Sequence, residues 1–506
     1  MKSFQLTALL LCVLLVSQAQ NQRQSFFADS LDSYIQNGLK EWQIPGASVC
    51  IVKDGHVVLM KGYGIKELNK ADSVNQNTSF SIGSNTKAFI GASFAILQDR
   101  KVLSIDDKVI KWIPEFKVYD PWVAQNATIK DLLSHRLGYE TFQGDFMFFS
   151  SDLTSQEIIK KLSLLVPKYN FRDQWHYSNA GYLLAGEIIY RATGKKWNEF
   201  VMENIFLPLE MNETVCLNAG IPGIKNKAFP HKIVENHLIE VPFLNIDHIG
   251  PAGSISSTAN DISHWMLMQL DKGKYKNKQV INENALLQTR SPYSIIANDN
   301  SDLNSGHFDL YGLGWGIHEY KGRVLLGHTG GVVGFLSSIT LLPKENLGIA
   351  IFTNTDANEF YQELEKVIVD AYLNLPFINH SKNALAEVEQ NRTSRRKWLK
   401  RMSDSASLNL KPKLSISAYT GNYNSDVYGN ISISASPNTL LIKFQHHSKL
   451  IATLQSLGGT RFYCTYSDPE FGRKILEFKI KNHRIYSLEL IVAGHVETTT
   501  YNFIKK

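Results

Sequence analysis

Cysteine is scarce in this sequence of 506 residues, which contains four. Cys12 lies in an N-terminal segment that we expect to be removed, so Cys50, Cys216 and Cys464 remain. Three thiols form at most one disulfide and leave one thiol free. A disulfide-built scaffold is therefore excluded, and an ordinary hydrophobic core must hold the chain together. Cys50, within the apolar stretch 47–52, is expected to fill part of that core.

Long apolar runs are lacking beyond the N-terminus, and the mean hydropathy of −0.17 argues against a polytopic membrane protein. The one such run, residues 6–16, is too short to cross about 30 Å of hydrocarbon. Lys2 precedes it and small or polar residues follow it, as in a secretory signal peptide. We predict a signal peptide over residues 1–19, a protein secreted into the bacterial periplasm, and no integral membrane span in its mature form. A buried N-terminal helix is the alternative.

Strong charge and several catalytic motifs are also missing. The 53 basic and 47 acidic residues give a net charge of +6, so no nucleic-acid partner is expected. The absence of a Gly-x-Ser-x-Gly elbow argues against an α/β-hydrolase. The chain contains no His-Glu-x-x-His, no paired Cys-x-x-Cys and no Gly-x-x-x-x-Gly-Lys loop, so we expect neither a zinc site nor a phosphate loop. The expectation is no metal and no cofactor.

Apolar patterning predicts a mixed α/β or α+β region in the first three quarters of the chain. Strands lie at both ends of this region with helices between them, so its N- and C-terminal strands are expected to share one sheet. The predicted elements are a hairpin over 47–53 and 56–64 around Asp54-Gly55, helices over 84–100 and 181–192, and strands over 324–326, 335–342 and 347–352.

The pattern changes after residue 375. Residues 376–414 contain a basic cluster that we interpret as a solvated linker helix, with a basic docking surface as the alternative. The cluster comprises Arg392, Arg395, Arg396, Lys397, Lys400 and Arg401. Beyond it, short alternating runs predict an all-β sandwich or small barrel. These runs are 431–434, 440–444, 475–480, 485–492 and 498–503.

Ser84 and Lys87 lie three residues apart at the start of an apolar helical pattern. Positions i and i+3 share a helix face, so the lysine amine can reach the serine hydroxyl. A lysine buried there has a lowered pKa and can act as a base. Ser394 and Lys397 have the same spacing, but they lie in the basic segment without an apolar face and are expected to be a chance match.

Tyr177 and Asn179 lie two residues apart, just before the second predicted helix. Both side chains can point into one cleft, where the tyrosine can relay a proton and the asparagine can donate to a carbonyl group. The alternative is structural: Asn179 would cap the start of the helix.

His328, Thr329, Gly330 and Gly331 follow a predicted strand. Glycines at the edge of a sheet allow the backbone of an extended ligand to approach closely. Taken alone, this stretch is also typical of a turn.

In their order and spacing, the three motifs resemble the serine β-lactamase/penicillin-binding-protein superfamily. The Tyr-x-Asn form is similar to the class C branch, or S12 peptidase family, which includes class C β-lactamases, D-alanyl-D-alanine carboxypeptidases, D-aminopeptidases and carboxylesterases. Stretches 132–135, 251–258 and 311–316 are also family-like. The resemblance runs from about residue 31 to residue 374, and the C-terminal region resembles the lipocalin-like domain of some S12 peptidases.

The resemblance implies a fold and a division of the chain. We expect a β-lactamase-like α/β (α+β) catalytic domain, an antiparallel sheet flanked by helices plus a helical insertion, and a second, all-β lipocalin-like barrel domain. The expected divisions are the signal peptide 1–19, the β-lactamase-related serine hydrolase domain 22–375, the basic linker 376–414 and the all-β domain 415–506.

The resemblance also implies a role for each motif residue. The implied assignments are Ser84 as the acyl-forming nucleophile, Lys87 and Tyr177 as general base and proton shuttle, Asn179, His328, Thr329 and Gly330 as substrate-binding groups, and the backbone N–H groups of Ser84 and Gly331 as the oxyanion hole.

Two positions depart from the family pattern. The β-lactam-binding members usually carry lysine where this chain has His328, which weakens the case for β-lactams and for peptides with a free carboxylate. With an ordinary pKa near 6.5, His328 would bind acidic substrates more tightly as the pH falls toward that value. Arg136 and Leu137 stand where relatives tend to have small polar residues.

The sequence therefore predicts a secreted serine hydrolase that cleaves an amide or ester in a small-molecule or peptide substrate, as peptidases, D-aminopeptidases or esterases do. The alternatives are a β-lactamase or D-alanyl-D-alanine carboxypeptidase, and a penicillin-binding-like sensor that does not turn over. Homo-oligomerisation through the C-terminal domain is a further expectation.

Overall fold

The computed structural model describes residues 30–296, 308–437 and 439–506. The predicted signal segment 1–19 lies outside the described residues. Two folded units account for most of this part of the chain, an α/β domain built on an eight-stranded antiparallel sheet and a closed β-barrel near the C-terminus.

The helices lie mainly in the first unit. They are α1 (Leu31–Glu41), α2 (Thr86–Asp99), α3 (Val109–Trp112), α4 (Pro121–Asn126), α5 (Ile129–Leu133), α6 (Ser155–Lys161), α7 (Asn179–Thr193), α8 (Trp197–Val201), α9 (Ala259–Leu270), α10 (Glu283–Thr289), α11 (Phe360–Tyr372), α12 (His380–Ser407) and α13 (Ile416–Tyr419). Short 3-10 helices are Gly83–Asn85, Asp145–Met147, Leu162–Leu164, Asn218–Gly223, Asp247–Ala252, Pro343–Glu345 and Pro469–Phe471, and a π-helix spans Met202–Phe206. In the described ranges, no helix has both the length and the apolar character needed to cross a bilayer.

The strands fall into two groups. Those of the first unit are β1 (Gly46–Lys53), β2 (His56–Gly64), β3 (Phe80–Ser81), β4 (His231–Val234), β5 (His237–Glu240), β6 (Ser256–Ser257), β7 (Lys274–Tyr275), β8 (Lys278–Gln279), β9 (Ser294–Ile295), β10 (Asp309–Tyr311), β11 (Gly316–Tyr320), β12 (Arg323–Val332), β13 (Phe335–Leu342) and β14 (Leu347–Thr353). The others are β15 (Leu410–Pro412), β16 (Gly421–Ser425), β17 (Gly429–Ser436), β18 (Thr439–Phe444), β19 (His447–Gly459), β20 (Arg461–Tyr466), β21 (Arg473–Lys481), β22 (Arg484–Leu490) and β23 (Tyr501–Lys505).

The main sheet has the strand order β2-β1-β14-β13-β12-β11-β10-β9. The predicted hairpin is confirmed as β1 and β2, joined at Asp54 and Gly55. β1 also pairs with β14, which confirms that the N- and C-terminal strands of the region share one sheet. The sheet is open, with β2 and β9 at its edges, and β12 and β13 lie inside it with pairing partners on both sides.

Helices cover both faces of this sheet. Successive side chains of a strand point to opposite faces. Val49 packs in the core beneath α1 and α11, whereas Cys50 packs in the core that contains α2 and α9. Double coverage explains why stretch 47–52 is buried throughout and apolar except at Ser48. Cys50 is buried as predicted, and all three described cysteines are unpaired.

The C-terminal unit is a closed barrel of eight strands, β16 to β23, and this decides between the predicted sandwich and barrel. β19 pairs with both β18 and β20, which closes the ring, and the short β15 adds to β19 in parallel. The sequence prediction included the strands now numbered β17, β18, β21, β22 and β23 and missed β16, β19 and β20.

The segment between the two units forms α12, a helix of 28 residues. It contacts both units. Ser381 near its start accepts a hydrogen bond from the indole N–H of Trp42 at 2.8 Å, and Trp398 packs its ring against Tyr463 of the barrel at 6.4 Å. The helix therefore connects the hydrolase-like domain to the barrel by direct contacts at both ends.

Candidate active site

Ser84 lies in the 3-10 turn that leads into α2. Gly83 before it has a φ of +52°, and a Cβ there would lie 2.7 Å from the backbone nitrogen of Gly331. At Gly330, a Cβ would lie 1.9 Å from the carbonyl oxygen of Ile82. Only glycine allows this approach, so β12 runs directly against the turn that carries the serine.

Ser337 of β13 holds this turn in place. The hydroxyl of Ser337 donates to the Ile82 carbonyl at 2.8 Å and accepts from the side-chain amide of Asn85, also at 2.8 Å. Ser337 is buried opposite Gly330 in the β12–β13 pair. The serine turn is thereby anchored to the centre of the sheet.

Lys87 lies one helical turn beyond Ser84 and is fully buried. Its Nζ donates to the Ser84 hydroxyl at 3.1 Å, to Asn179 Oδ1 at 2.8 Å and to the Ala252 carbonyl at 2.6 Å. The rings of Tyr177 and Tyr182 lie within 4.8 and 5.2 Å of the same nitrogen. The serine–lysine pair that the spacing predicts is therefore formed.

Burial lowers the pKa of Lys87 to about 7. A neutral amine has two N–H donors and one lone pair. The two donors match the carbonyl oxygens of Asn179 and Ala252, which leaves the lone pair for the proton of the Ser84 hydroxyl. The site therefore holds a lysine that can accept a proton from Ser84 near neutral pH.

Tyr177 completes the group around Ser84. Its hydroxyl is buried without a hydrogen-bond partner of ordinary geometry among the described residues. Burial raises the pKa of Tyr177 well above its ordinary value, and the neighbouring Ser84 hydroxyl acts in the opposite direction. The phenol is therefore neutral and lies beside the serine.

Asn179 is the first residue of α7, and the structural alternative for it is wrong. The N-cap is Ser178, and no side chain caps the helix. The Asn179 carboxamide instead faces the site. Its oxygen accepts a hydrogen bond from Lys87, and its nitrogen donates a hydrogen bond to Asp145 at 2.6 Å.

His135 supports Tyr177 from behind. Its Nδ1 accepts the backbone N–H of Ser178 at 3.1 Å, and its ring centre is 4.5 Å from that of Tyr177. Burial lowers the pKa of His135 well below its ordinary value, with the charge of Lys87 acting in the same direction. A neutral imidazole thus fixes the backbone between the tyrosine and the asparagine.

The third motif is part of a strand, so the alternative of a turn is wrong. Residues 328–331 belong to β12 and pair with β13. On the other side, β11 pairs only as far as Gly327. From His328 onward, no other described strand pairs with that edge of β12. This open edge next to Ser84 can accept an extended ligand backbone.

His328 does not have the ordinary pKa assumed from the sequence. Burial, with the charge of Lys87 acting in the same direction, lowers the pKa of His328 to about 3. Its Nε2 accepts a hydrogen bond from the hydroxyl of Tyr311 at 2.9 Å, as a neutral ring does. The expectation that His328 becomes a cation at mildly acidic pH is therefore wrong.

This neutral histidine leads to a prediction about substrates. We expect the preference for a carboxylate-bearing substrate over its neutral amide analogue to stay within twofold between about pH 5 and 8, because His328 remains uncharged there. This preference is measured as the ratio of kcat/KM for the two compounds. Titration of Lys87 changes both kcat/KM values by the same factor, so it does not change their ratio. A ratio that rises tenfold toward pH 5 would contradict it.

A cleft of about 460 Å³ opens beside the motif residues. Tyr177, His328 and Thr329 are among its lining residues, whereas Ser84, Lys87 and Asn179 are not. The rest of the lining includes aromatic rings and charged groups, among them Trp175, Tyr311, Tyr320, Asp309, Glu319, Glu365 and Lys366. The cleft is large enough for a small acyl or aminoacyl group.

Arg136, the second departure from the family pattern, has a structural role. Its guanidinium binds the buried Asp131 at 2.9 Å and donates to the Tyr293 carbonyl at 2.8 Å. Arg172 binds the same carboxylate at 2.7 Å. Arg136 therefore stabilises the loop before the site.

Sequence reasoning missed two contributors to the site. The Ala252 carbonyl lies in the 251–258 stretch, but nothing in the sequence indicates that a backbone oxygen would receive Lys87. Asp145 follows no motif and is buried against Asn179. Across the described ranges, no cluster of His, Cys, Asp and Glu could hold a metal ion.

Comparisons with known proteins identify the family. Residues 31–373 match the family described as Beta-lactamase. Over 365 residues the chain is 29% identical to Protein flp of Staphylococcus aureus (strain MW2), which covers 70% of this chain and 67% of that protein.

Two solved structures share the fold. The octameric penicillin-binding protein homologue from Pyrococcus abyssi is 20% identical, with a TM-score of 0.61, over 94% of this chain and 99% of that chain. D-amino acid amidase from Ochrobactrum anthropi SV3, complexed with L-phenylalanine amide, is 24% identical, with a TM-score of 0.56, over 70% of this chain and 99% of that chain. The first likeness extends over the barrel.

Proposed function

The chain is a serine hydrolase of the beta-lactamase family, and from this premise we propose that it cleaves an amide or ester through an acyl-enzyme on Ser84. The observation that carries the proposal is the contact between the buried Lys87 amine and the Ser84 hydroxyl at 3.1 Å. With a pKa of about 7, this amine accepts a proton at neutral pH.

In the first step, Ser84 Oγ forms a bond to the carbonyl carbon of the substrate, and the hydroxyl proton moves to Lys87. The carbonyl electrons move to its oxygen, which is bound by the backbone N–H groups of Ser84 and Gly331. The close approach of Gly83 to the Gly331 nitrogen supports this assignment. Fixed donors of this kind are worth about 3–4 kcal/mol each.

The leaving amine or alcohol then departs with a proton relayed through Tyr177. In the second step, water attacks the acyl carbon, its proton moves to the same base, and Ser84 is released with its hydroxyl restored. The side-chain nitrogen of Asn179 has a second N–H that Asp145 does not use, and this N–H orients the substrate amide or ester. Thr329 and Gly330 bind the substrate along the open edge of β12.

We propose that the substrate has no free carboxylate at the group beside His328. The neutral His328 offers no cation there. Carboxyl groups of Asp309, Glu319 and Glu365 line the adjacent cleft, and the lysine in that lining, Lys366, is paired with Glu363 at 2.8 Å. An aminoacyl amide or a small ester fits this lining. The likeness to D-amino acid amidase supports a D-aminopeptidase-like or amidase-like peptidase, with an esterase as the close variant.

A β-lactamase or D-alanyl-D-alanine carboxypeptidase is the second candidate. The family description and the likeness to a penicillin-binding protein homologue favour it. The uncharged His328 disfavours it, because β-lactams and these peptides present a carboxylate. A penicillin-binding-like sensor would form the same acyl-enzyme in the first step but would not hydrolyse it in the second step.

Labelling with a fluorophosphonate probe tests the proposal. We expect one adduct per chain, located on Ser84 by mass spectrometry, because the probe captures an activated serine. Ser394, which has the same spacing to Lys397 but lies on α12, is the internal control and should stay unlabelled. A folded protein without an adduct on Ser84 would refute the proposal.

Turnover assays separate the candidates. We expect hydrolysis of p-nitrophenyl esters or D-aminoacyl amides. Turnover of nitrocefin, without these activities, would favour the β-lactamase. A burst of one acyl group per chain with no further release would favour the sensor.

We also propose export and self-association. The N-terminal pattern supports removal of residues 1–19 and secretion into a periplasm, and the mass of the intact labelled protein reports whether that segment is present. The octameric state of the Pyrococcus abyssi protein supports self-association of this chain through its barrel, which light scattering measures.

A further inference from the structure

The carboxyl group of Asp145 is buried beside the Lys87 pocket and has no part in the steps above. Its side chain is 1% exposed. Oδ2 accepts a hydrogen bond from Asn179 Nδ2 at 2.6 Å, whereas Oδ1 is buried without a hydrogen-bond partner. A buried carboxyl group in this setting needs a reason, because desolvation costs free energy.

The contact determines which way the Asn179 carboxamide faces. Asp145 accepts a hydrogen bond from the nitrogen of that carboxamide, so the carboxamide oxygen points to Lys87 and lies 2.8 Å from its Nζ. A flipped carboxamide would turn its NH₂ group toward the amine and leave the Asp145 carboxyl without its donor. Asp145 therefore selects the orientation in which Asn179 receives a lysine N–H.

The backbone around Asp145 is held by the barrel. The carboxyl group of Glu497, between β22 and β23, accepts the N–H of Gly144 at 2.7 Å and that of Phe146 at 3.2 Å. These residues flank Asp145 on both sides. Glu497 itself accepts hydrogen bonds from the hydroxyl groups of Tyr428 and Tyr501 on the barrel.

A second barrel contact holds the same turn. The ring of His447 stacks on Phe146 with centres 4.2 Å apart, and its Nε2 donates to the Phe146 carbonyl at 2.8 Å. The turn that carries Asp145 is thus bound by barrel groups on its N–H side and on its carbonyl side.

We propose that Asp145 is a positioning residue that acts on Lys87 through Asn179, and that Glu497 of the barrel holds Asp145 in place. The barrel thereby completes the active site of its own chain. This inference rests on the proposed function, because it concerns the geometry of the Lys87 base.

The charge state of Asp145 agrees with this role. Burial raises the pKa of Asp145 well above its ordinary value, the neighbouring Glu497 acts in the same direction, and Asn179 and Lys87 oppose it. Held toward its neutral form, this carboxyl group acts mainly as a hydrogen-bond partner, and any charge that it carries raises the pKa of Lys87. Asparagine should therefore replace Asp145 well.

The first test compares two substitutions at this position. Asp145→Leu removes the acceptor, and we expect kcat to fall about tenfold to a hundredfold with KM within twofold, because the base is misplaced while the cleft is intact. Asp145→Asn keeps an acceptor and should restore kcat to within threefold of wild type. Rates are expressed per fluorophosphonate-reactive Ser84, so misfolded protein does not contribute.

The second test compares two buried carboxyl groups of the barrel. Glu497→Ala should lower kcat about tenfold. Glu470→Ala is the matched control, since Glu470 binds Lys232 of the hydrolase domain at 2.6 Å and forms no hydrogen bond or ion pair with the described Asp145 turn. It should leave kcat within twofold. Assays at pH 8 are appropriate, because burial raises the pKa of Glu497 to about 7.

Three results would overturn the inference. These are a kcat of Asp145→Leu within threefold of wild type, equal losses in Asp145→Leu and Asp145→Asn, or an equal loss of kcat in Glu470→Ala and Glu497→Ala. If Asp145→Leu yields no reactive serine, Asp145→Ala, which also removes the acceptor, takes its place with the same expectations. Absence of labelling at Ser84 in the wild-type protein would instead refute the proposed function.

Discussion

Ser84→Ala should abolish turnover of every substrate that the wild-type protein cleaves, lowering kcat/KM by about 10⁴-fold or more. The reason is that no other described hydroxyl receives a hydrogen bond from Lys87. A panel of p-nitrophenyl esters, D-aminoacyl amides and nitrocefin measures the loss. Residual activity reports what binding and backbone donors contribute without a nucleophile.

Ser394→Ala is the control for this change. It removes a serine with a lysine at the same spacing, on the connecting helix α12. Its kcat/KM should equal that of wild type. If Ser84→Ala keeps more than a tenth of wild-type activity while folded, another group must be the nucleophile.

Lys87→Met should lower kcat/KM by about 10²–10⁴-fold, the usual contribution of a positioned general base. Methionine is close to lysine in volume, so the buried pocket stays filled. Because Ser84 and Lys87 act as a unit, the double variant Ser84→Ala/Lys87→Met should be no slower than Ser84→Ala alone. If the loss of kcat/KM in the double variant equals the product of the two single losses, the two residues act independently.

The same substitution predicts a pH dependence of stability. The pKa of Lys87 is about 7 in the folded protein, against an ordinary value of 10.5. Between these values the unfolded chain binds more protons than the folded chain, so the free energy of unfolding rises with pH. The limiting slope is about 1.4 kcal/mol per pH unit.

Denaturant unfolding at several pH values measures this effect. Relative to Lys87→Met, wild type should gain a few kcal/mol between about pH 7 and pH 10 and show a constant difference below pH 6. Lys87→Met is the suitable reference, because it leaves the other titrating groups in place. A difference that does not change with pH would show that Lys87 titrates normally.

Local patterns in the chain predicted much of the fold. Asp54-Gly55 between two apolar runs indicated the β1–β2 hairpin, and the 3–4 spacing after Ser84 indicated α2. The largely apolar stretch 47–52 indicated a strand with Cys50 in the core, and the structure shows that helices cover both of its faces. β16, β19 and β20 were missed, although β19 pairs with its sequence neighbours β18 and β20. Only the β16–β23 pair joins distant parts of the barrel sequence.

The pKa of His328 could not be predicted from the sequence. Its ordinary value suggested a switch at mildly acidic pH, but burial and the nearby Lys87 lower that pKa to about 3. Lys87 and His328 are 241 positions apart in the sequence, and only the folded chain brings them close together. Desolvation is a property of the folded environment and leaves no mark in the local sequence.

The sequence by itself determined the family resemblance, the pairing of Ser84 with Lys87 and the order of the motifs, because a helix places i and i+3 on one face and the motifs are contiguous. Only the tertiary structure decided the orientation of Asn179, the burial of Asp145 and the contact of Glu497 with Gly144, across 353 residues. Such contacts depend on how the barrel packs against the hydrolase domain. Their geometry exists only once both domains have folded together.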